Sequence, residues 1–230
     1  MLYSNDCYLK HTCAKYMRQQ CVSDSFCIKL FKMDKLYSLG MLSDVQRQHK
    51  LLHPDADGTD REQFLKLKQI EDTITDFVSQ GRNLYLHSKN CGNGKTSWAV
   101  RFLQRYVQNI WPDSDIRCRI LFVSVPEFFL KLKDNISQQN EYIQYVKEVV
   151  DDCDLVVWDD IGTKVGTEFE VENLLSIIDR RINNGKSNIF TSNMGPKQLN
   201  ERLGERLYSR IVNTSIQVEL FGLDKRGFSI

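Results

Sequence analysis

Between residues 83 and 211, short apolar runs alternate with longer segments whose apolar residues recur every three or four positions. The runs at 83–87, 120–125, 153–162 and 187–193 are bounded by polar residues, which is how strands of a parallel sheet buried on both faces read in sequence. The intervening segments have helical spacing. In 97–111 it falls on Trp98, Val100, Phe102, Leu103, Tyr106, Val107 and Ile110 before Pro112 closes the segment, and in 168–183 on Val171, Leu174, Leu175, Ile178 and Ile182. A further helix is predicted to open at Pro126 and Glu127, where proline is tolerated and an acid suits the dipole. Another spans 141–150, and Leu203, Leu207 and Ile211 share one face of a third over 203–211. Strands alternating with helices predict an α/β fold, a mostly parallel sheet flanked by helices.

Upstream of these runs the same reading predicts a helix over 29–50, with Leu30, Met33, Leu36 and Tyr37 at helical spacing. Residues 53–60, His-Pro-Asp-Ala-Asp-Gly-Thr-Asp, are rich in turn formers and read as a linker. An amphipathic helix follows over 61–79, carrying Phe64, Leu67, Ile70, Ile74, Phe77 and Val78. The chain therefore divides into an amino-terminal module (1–53), a linker (54–60) and a core (61–230), and 230 residues suffice for one large core and a small appendage. His49, His53 and His87 stand alone and are read as structural.

Formal net charge is +1, which offers no case for strong general attraction to nucleic acid, so any DNA contact must be local. Neither a run of about 18 apolar residues nor a signal-peptide pattern is present, and the expectation is a cytoplasmic protein with no membrane partner. No internal repeat or low-complexity tract stands out.

The candidate chemistry begins where the first apolar run turns into a helix. Asn90-Cys91-Gly92-Asn93-Gly94-Lys95-Thr96 meets the pattern G-x-x-x-x-G-K-[ST] except at its first position, where Lys89 replaces glycine. Small residues let backbone N–H groups curl around phosphates, Lys95 can reach the β and γ oxygens, and the Thr96 hydroxyl can ligate Mg2+. Cys91, Gly92, Asn93, Gly94, Lys95, Thr96, Ser97 and Asp159 form the expected ATP-binding set.

The third run ends in Asp159-Asp160, at the strand end where open α/β sheets bind ligands. Adjacent strand residues point opposite ways, so the two carboxylates must have different roles. Asp159 is assigned to the Mg2+ shell with Thr96, and Asp160 to orienting or deprotonating the attacking water. Asn193, at the end of the fourth run, would sit beside the γ-phosphate, where an amide can hold that water. Arg206 and Arg210 lie four apart on a helical face, and taken alone they read as a solvated face.

Seven cysteines are present, and Cys7, Cys13, Cys21 and Cys27 lie in the first 27 residues with spacing C-x5-C-x7-C-x5-C, His11 falling between the first pair. Four thiolates suit tetrahedral Zn2+ and would let a segment too small for its own core fold around the ion. The other reading is ordinary buried or free thiols; if zinc is bound, His11 is the substitute ligand. Cys91, Cys118 and Cys153, in or beside predicted core elements, are expected as small apolar fillers.

The phosphate loop, Val156-Val157-Trp158-Asp159-Asp160-Ile161-Gly162, Thr191-Ser192-Asn193 and Gly204-Glu205-Arg206-Leu207-Tyr208-Ser209-Arg210-Ile211, in this order, resemble the AAA+ P-loop ATPases, and among them the DnaC/DnaI type of replicative helicase loader, bacterial or phage-encoded. The resemblance runs from about residue 60 to the end. It implies Walker A at Gly92, Gly94, Lys95 and Thr96, Walker B at Asp159 and Asp160, sensor 1 at Asn193, and an arginine finger at Arg210 that acts in trans on a neighbouring subunit, with Arg206 as the alternative. It therefore implies a self-oligomer and an ATPase. Its partners would be a hexameric replicative DNA helicase and single-stranded DNA, with ATP binding and hydrolysis as the assembly and release switch. A zinc-binding amino-terminal module that contacts the helicase or regulates the ATPase is also implied. Three departures stand out: Lys89 where most members have glycine, Asp160 where many AAA+ proteins outside the loader family have glutamate, which is normal among loaders, and only 20 residues after Arg210, too few for a carboxy-terminal lid. Asp224-Lys225-Arg226-Gly227 is the expected partial substitute for a lid-borne arginine. A transposition helper ATPase of the IstB type is the alternative with a similar core, and an origin-reading initiator would need a helix-turn-helix after that core.

Overall fold

The computed structural model describes residues 7, 9–21, 27–55 and 58–221. The four apolar runs form strands β1 (Asn83–His87), β2 (Ile120–Ser124), β3 (Leu155–Asp159) and β4 (Ser187–Ser192), and a fifth, β5 (Ser215–Glu219), joins them. Their order is β2-β3-β4-β1-β5, with every pairing parallel.

Helices cover both faces because the strands alternate. Tyr85, Val156, Trp158 and Phe190 point into one core, while Leu84, Leu86, Leu155, Val157 and Ile189 point into the other. Helices α7 (Val125–Ser137), α8 (Glu141–Val149), α9 (Glu168–Asn183), α10 (Pro196–Leu203) and α11 (Glu205–Val212) bury residues in the first core. The second core is covered by α2 (Ile28–Leu39), α4 (Arg61–Asp72), α5 (Ile74–Ser79) and α6 (Lys95–Ile110). Two short helices, α1 (Ala14–Met17) and α3 (Asp44–Arg47), complete the described elements. Among the described residues no helix is long and apolar enough to cross a membrane.

Two expected helices are divided. Within 29–50, α2 ends at Gly40, Met41 turns left-handed (φ 61), and Ser43 restarts the chain by a reciprocal capping box with Gln46. Within 61–79 the break falls at Thr73, whose hydroxyl back-bonds to the Gln69 carbonyl at 2.9 Å. Both breaks are local side-chain choices that hydrophobic spacing does not register.

The amino-terminal elements share the core of the sheet. Met33, Leu36 and Tyr37 of α2 are buried, the Gly40 carbonyl accepts the Phe122 N–H on the outer edge of β2, and the half-buried Cys7 and Cys13 pack against the same cluster. Arg101 and Gln104 on α6 donate to the carbonyls of Lys50, Gln46 and Gln48. On the opposite face Arg181 is fully buried: Nε donates to Asn188 Oδ1 at 2.8 Å, Nη2 to the Ser187 carbonyl at 2.7 Å and Nη1 to the Val150 and Cys153 carbonyls. Burial pushes this guanidinium down to about 10, still well above neutral pH.

Candidate functional site

With β3, β4 and β1 adjacent, the loop after β1, the carboxylates after β3 and the polar end of β4 meet on one rim of the sheet, at the carboxyl ends of the strands. The loop over 88–94 turns by two left-handed glycines, Gly92 (φ 77) and Gly94 (φ 97), and Gly94 leads directly into α6. Its inner side is braced. Ser88 Oγ accepts the Asn90 N–H at 3.0 Å and is bonded by the buried Asn93 amide, which also donates to the Leu220 carbonyl at 3.1 Å. Asn93 therefore shapes the loop through its side chain and leaves its backbone to any ligand. Lys95 is buried, its Nζ 3.0 Å from the Asn90 carbonyl and 3.1 Å from Asn93 Oδ1, so the ammonium folds over its own loop. Cys91 is exposed at the loop tip, not the apolar filler expected of it, because the loop turns its side chain away from the core that buries Cys118 and Cys153; Ser97 is half-buried in the first turn of α6.

Across the rim the Thr96 hydroxyl donates to Asp159 Oδ1 at 2.9 Å. The same oxygen accepts the Thr191 hydroxyl at 2.7 Å, and Thr191 Oγ1 in turn accepts the Asp160 N–H at 2.9 Å. One threonine on β4 thus holds the Asp159 carboxylate and the Asp160 backbone N–H, a role that sequence spacing did not assign. A hydroxyl directly after the apolar pair Ile189-Phe190 is the signal it leaves. Asp160 lies beyond β3 with φ 57, and its Oδ1 is 3.5 Å from the Asn193 amide nitrogen, so these two residues also meet. Burial is the main cause that pushes the Asp159 carboxyl above the ordinary carboxylate range, with Asp160 adding to it and Thr191, Thr96 and Lys95 opposing. Thr96 and Asp159 offer hard oxygen donors side by side, a set that suits Mg2+.

The family model "Bacterial DnaA ATPAse domain" matches residues 67–218, a span holding Lys95, Thr96, Asp159, Asp160, Asn193 and both arginines. The chain belongs to the bacterial DnaA ATPase-domain family. Its frame is similar to solved structures. A structure of DnaI is 23% identical with TM-score 0.61, covering 84% of this chain and 100% of that one. The DnaC helicase loader is 22% identical with TM-score 0.59, covering 74% and 94%. AMPPCP-bound DnaA from Aquifex aeolicus is 18% identical with TM-score 0.58, covering 73% of this chain and 48% of that one. No curated protein matches the chain. The AAA+ resemblance of the fold, including its DnaC/DnaI-like form, is thereby shown.

Elsewhere in this DnaA-type ATPase domain, Arg210 lies on α11 away from the phosphate loop. Its Nε is 2.6 Å from Asp179 Oδ1 on α9, and Arg206 pairs with Glu172 at 3.1 Å. The four amino-terminal cysteines are free thiols, and among the described residues no group of three or more His, Cys, Asp or Glu side chains is gathered for a metal ion. They nevertheless share a neighbourhood. The Cys7 thiol is pushed up first by burial, against a backbone bond from Leu9, and then by Cys27, Cys13 and Cys21. Residues 224–227, expected as a substitute for a lid arginine, lie outside the described residues.

Proposed function

We propose that the protein is a cytoplasmic, bacterial or phage-encoded ATPase that loads a hexameric replicative helicase onto single-stranded DNA, with ATP binding and hydrolysis as its assembly and release switch. The observation that carries this reading is the continuous network Thr96–Asp159–Thr191–Asp160–Asn193, from the first turn of α6 across the ends of β3 and β4, on a DnaC/DnaI-like frame.

In this reading the backbone of 91–94 and the first turn of α6 cradle the phosphates of ATP. Lys95 exchanges its contacts with Asn90 and Asn93 for terminal phosphate oxygens. Thr96 and Asp159 hold Mg2+, which when bound neutralises charge on the β and γ oxygens. Asp160 and Asn193 orient the attacking water, and Arg210 of a second copy stabilises charge on the transferring group, so the active form is a self-oligomer. Zn2+ held by Cys7, Cys13, Cys21 and Cys27, in an amino-terminal module that meets the helicase, belongs to the same proposal.

The test is ATP-dependent loading of the purified replicative helicase from the same cell or host onto a single-stranded circle. The wild-type chain should retain the helicase on the circle, and Lys95→Ala should not. If the chain instead captures a transposase and leaves the helicase in solution, the helper-ATPase reading replaces this one. Assembly on duplex origin DNA without the helicase would favour the initiator reading that the DnaA family match also permits.

A further inference from the structure

We propose that Asp179 is a positioning residue for Arg210, holding its guanidinium ready for the nucleotide of a second copy of this chain. This rests on the reading of Arg210 as a trans arginine. Three observations carry it. The Arg210 Nε is 2.6 Å from Asp179 Oδ1, but the N–H is not aligned on that oxygen, which makes no hydrogen bond, so the pair is held by charge. Asp179 is itself braced, its Oδ2 accepting the Asn183 amide at 3.3 Å, and it lies two residues before the buried Arg181 that fixes this end of α9. Among the described residues no second residue pairs with Arg210, and one carboxylate cannot use all five N–H donors of a guanidinium, so part of the fork remains for another acceptor.

The comparison with Arg206 separates the two arginines. The Arg206 and Glu172 side chains are 78% and 53% exposed, and water screens such a pair, whereas Arg210 and Asp179 are 45% and 35% exposed. Leu207, Ile211 and Val212 seat α11 in the core beneath them, so Arg210 is anchored at both its backbone and its Nε. An arginine already ordered before the neighbour arrives loses less freedom in the transition state than one ordered during the reaction.

Subunit mixing tests this. A Lys95→Ala chain can lend an arginine but cannot use one, and an Arg210→Ala chain can use one but cannot lend it, so the mixture should recover ATPase activity that neither shows alone. Adding Asp179→Asn to the lending chain should lower the recovered kcat about ten- to a hundredfold, with KM for ATP little changed. The same change in the Arg210→Ala chain should add nothing, because that chain has no arginine to position. Asp179→Glu in the lender, which keeps the charge, should restore part of the activity. Equal losses in both arms, or no loss in the lending arm, would overturn the role of Asp179 while leaving the trans arginine intact. If the parent mutants co-assemble and recover nothing, the trans reading fails and this inference with it. Melting curves of each variant exclude loss of folding as the cause.

Discussion

Asp160 stands in a left-handed backbone conformation just past the end of β3, a region that Asp and Asn tolerate better than other residues with side chains. The turn takes it out of the strand's alternation, and its carboxylate meets the Asn193 amide on the neighbouring strand end. Asp160→Asn preserves both the shape and the backbone preference, so any loss it causes is chemical. It should bind ATP within a few-fold of wild type yet hydrolyse it roughly a hundredfold more slowly or worse, whereas Lys95→Ala should lose binding itself. Wild-type hydrolysis by Asp160→Asn would remove Asp160 from the chemistry.

Asp159 makes a different prediction. Its folded-state pKa is raised, chiefly by burial, so the folded protein holds this proton more tightly than the unfolded chain does. The associated stability is present below the unfolded pKa and lost as pH rises through the folded one, which leaves a buried charge as a cost at neutral pH. Asp159→Asn, whose Oδ1 can still accept from Thr96 and Thr191, should raise the melting temperature of the nucleotide-free protein at pH 7. That gain should shrink as pH falls towards 4. A gain independent of pH would mean that ionisation of Asp159 is not its source.

At the scale of elements, the β1–loop–α6 unit was legible because its apolar run, its glycines and its Lys-Thr pair all point to one arrangement. The carboxylate strand end was legible for the same reason. β5 was not: its Ser-Ile-Gln-Val-Glu has one buried apolar residue, Val218, and it is a strand because β1 offers it a parallel edge. α10 was missed as well, since only Leu199 and Leu203 of its eight residues are buried. Thr191 could not be assigned from spacing because its role depends on a register between β3 and β4 that no single segment encodes. Neither could the pairing of Arg210, whose partner lies on α9. The amino-terminal cysteines give the prediction at this scale. Protein purified without added metal should contain about one Zn2+ per chain, and changing any of Cys7, Cys13, Cys21 or Cys27 to serine should release it and loosen the segment around α1 while the ATPase core still melts cooperatively. Metal-free protein with native melting would leave four ordinary thiols.

Across the whole molecule, the two cores place the proposed partners of the reaction on different sides of one sheet. α6, which starts at the phosphate loop, lies in the core that also holds α2, while α9 and α11 with Arg210 lie in the other. A chain that needs a neighbour's arginine cannot finish the reaction alone. ATPase activity per chain should therefore rise with protein concentration and level off once assembly is complete, and Arg210→Ala should flatten that rise. A specific activity that is constant down to the lowest measurable concentration would place the whole reaction within one chain.

Arg181 sets which part of this arrangement would not respond to its surroundings. Every acceptor around this buried cation is a carbonyl or an amide oxygen, and none of them gains or loses a proton. Mobile ions reach a buried contact far less than an exposed one. Added salt should therefore weaken the half-exposed Asp179–Arg210 pair, and with it the positioning of the proposed trans arginine, while the joint that sets where α9 stands keeps its length and angle. Ionic strength would loosen this arginine long before it moved the helix that carries its carboxylate.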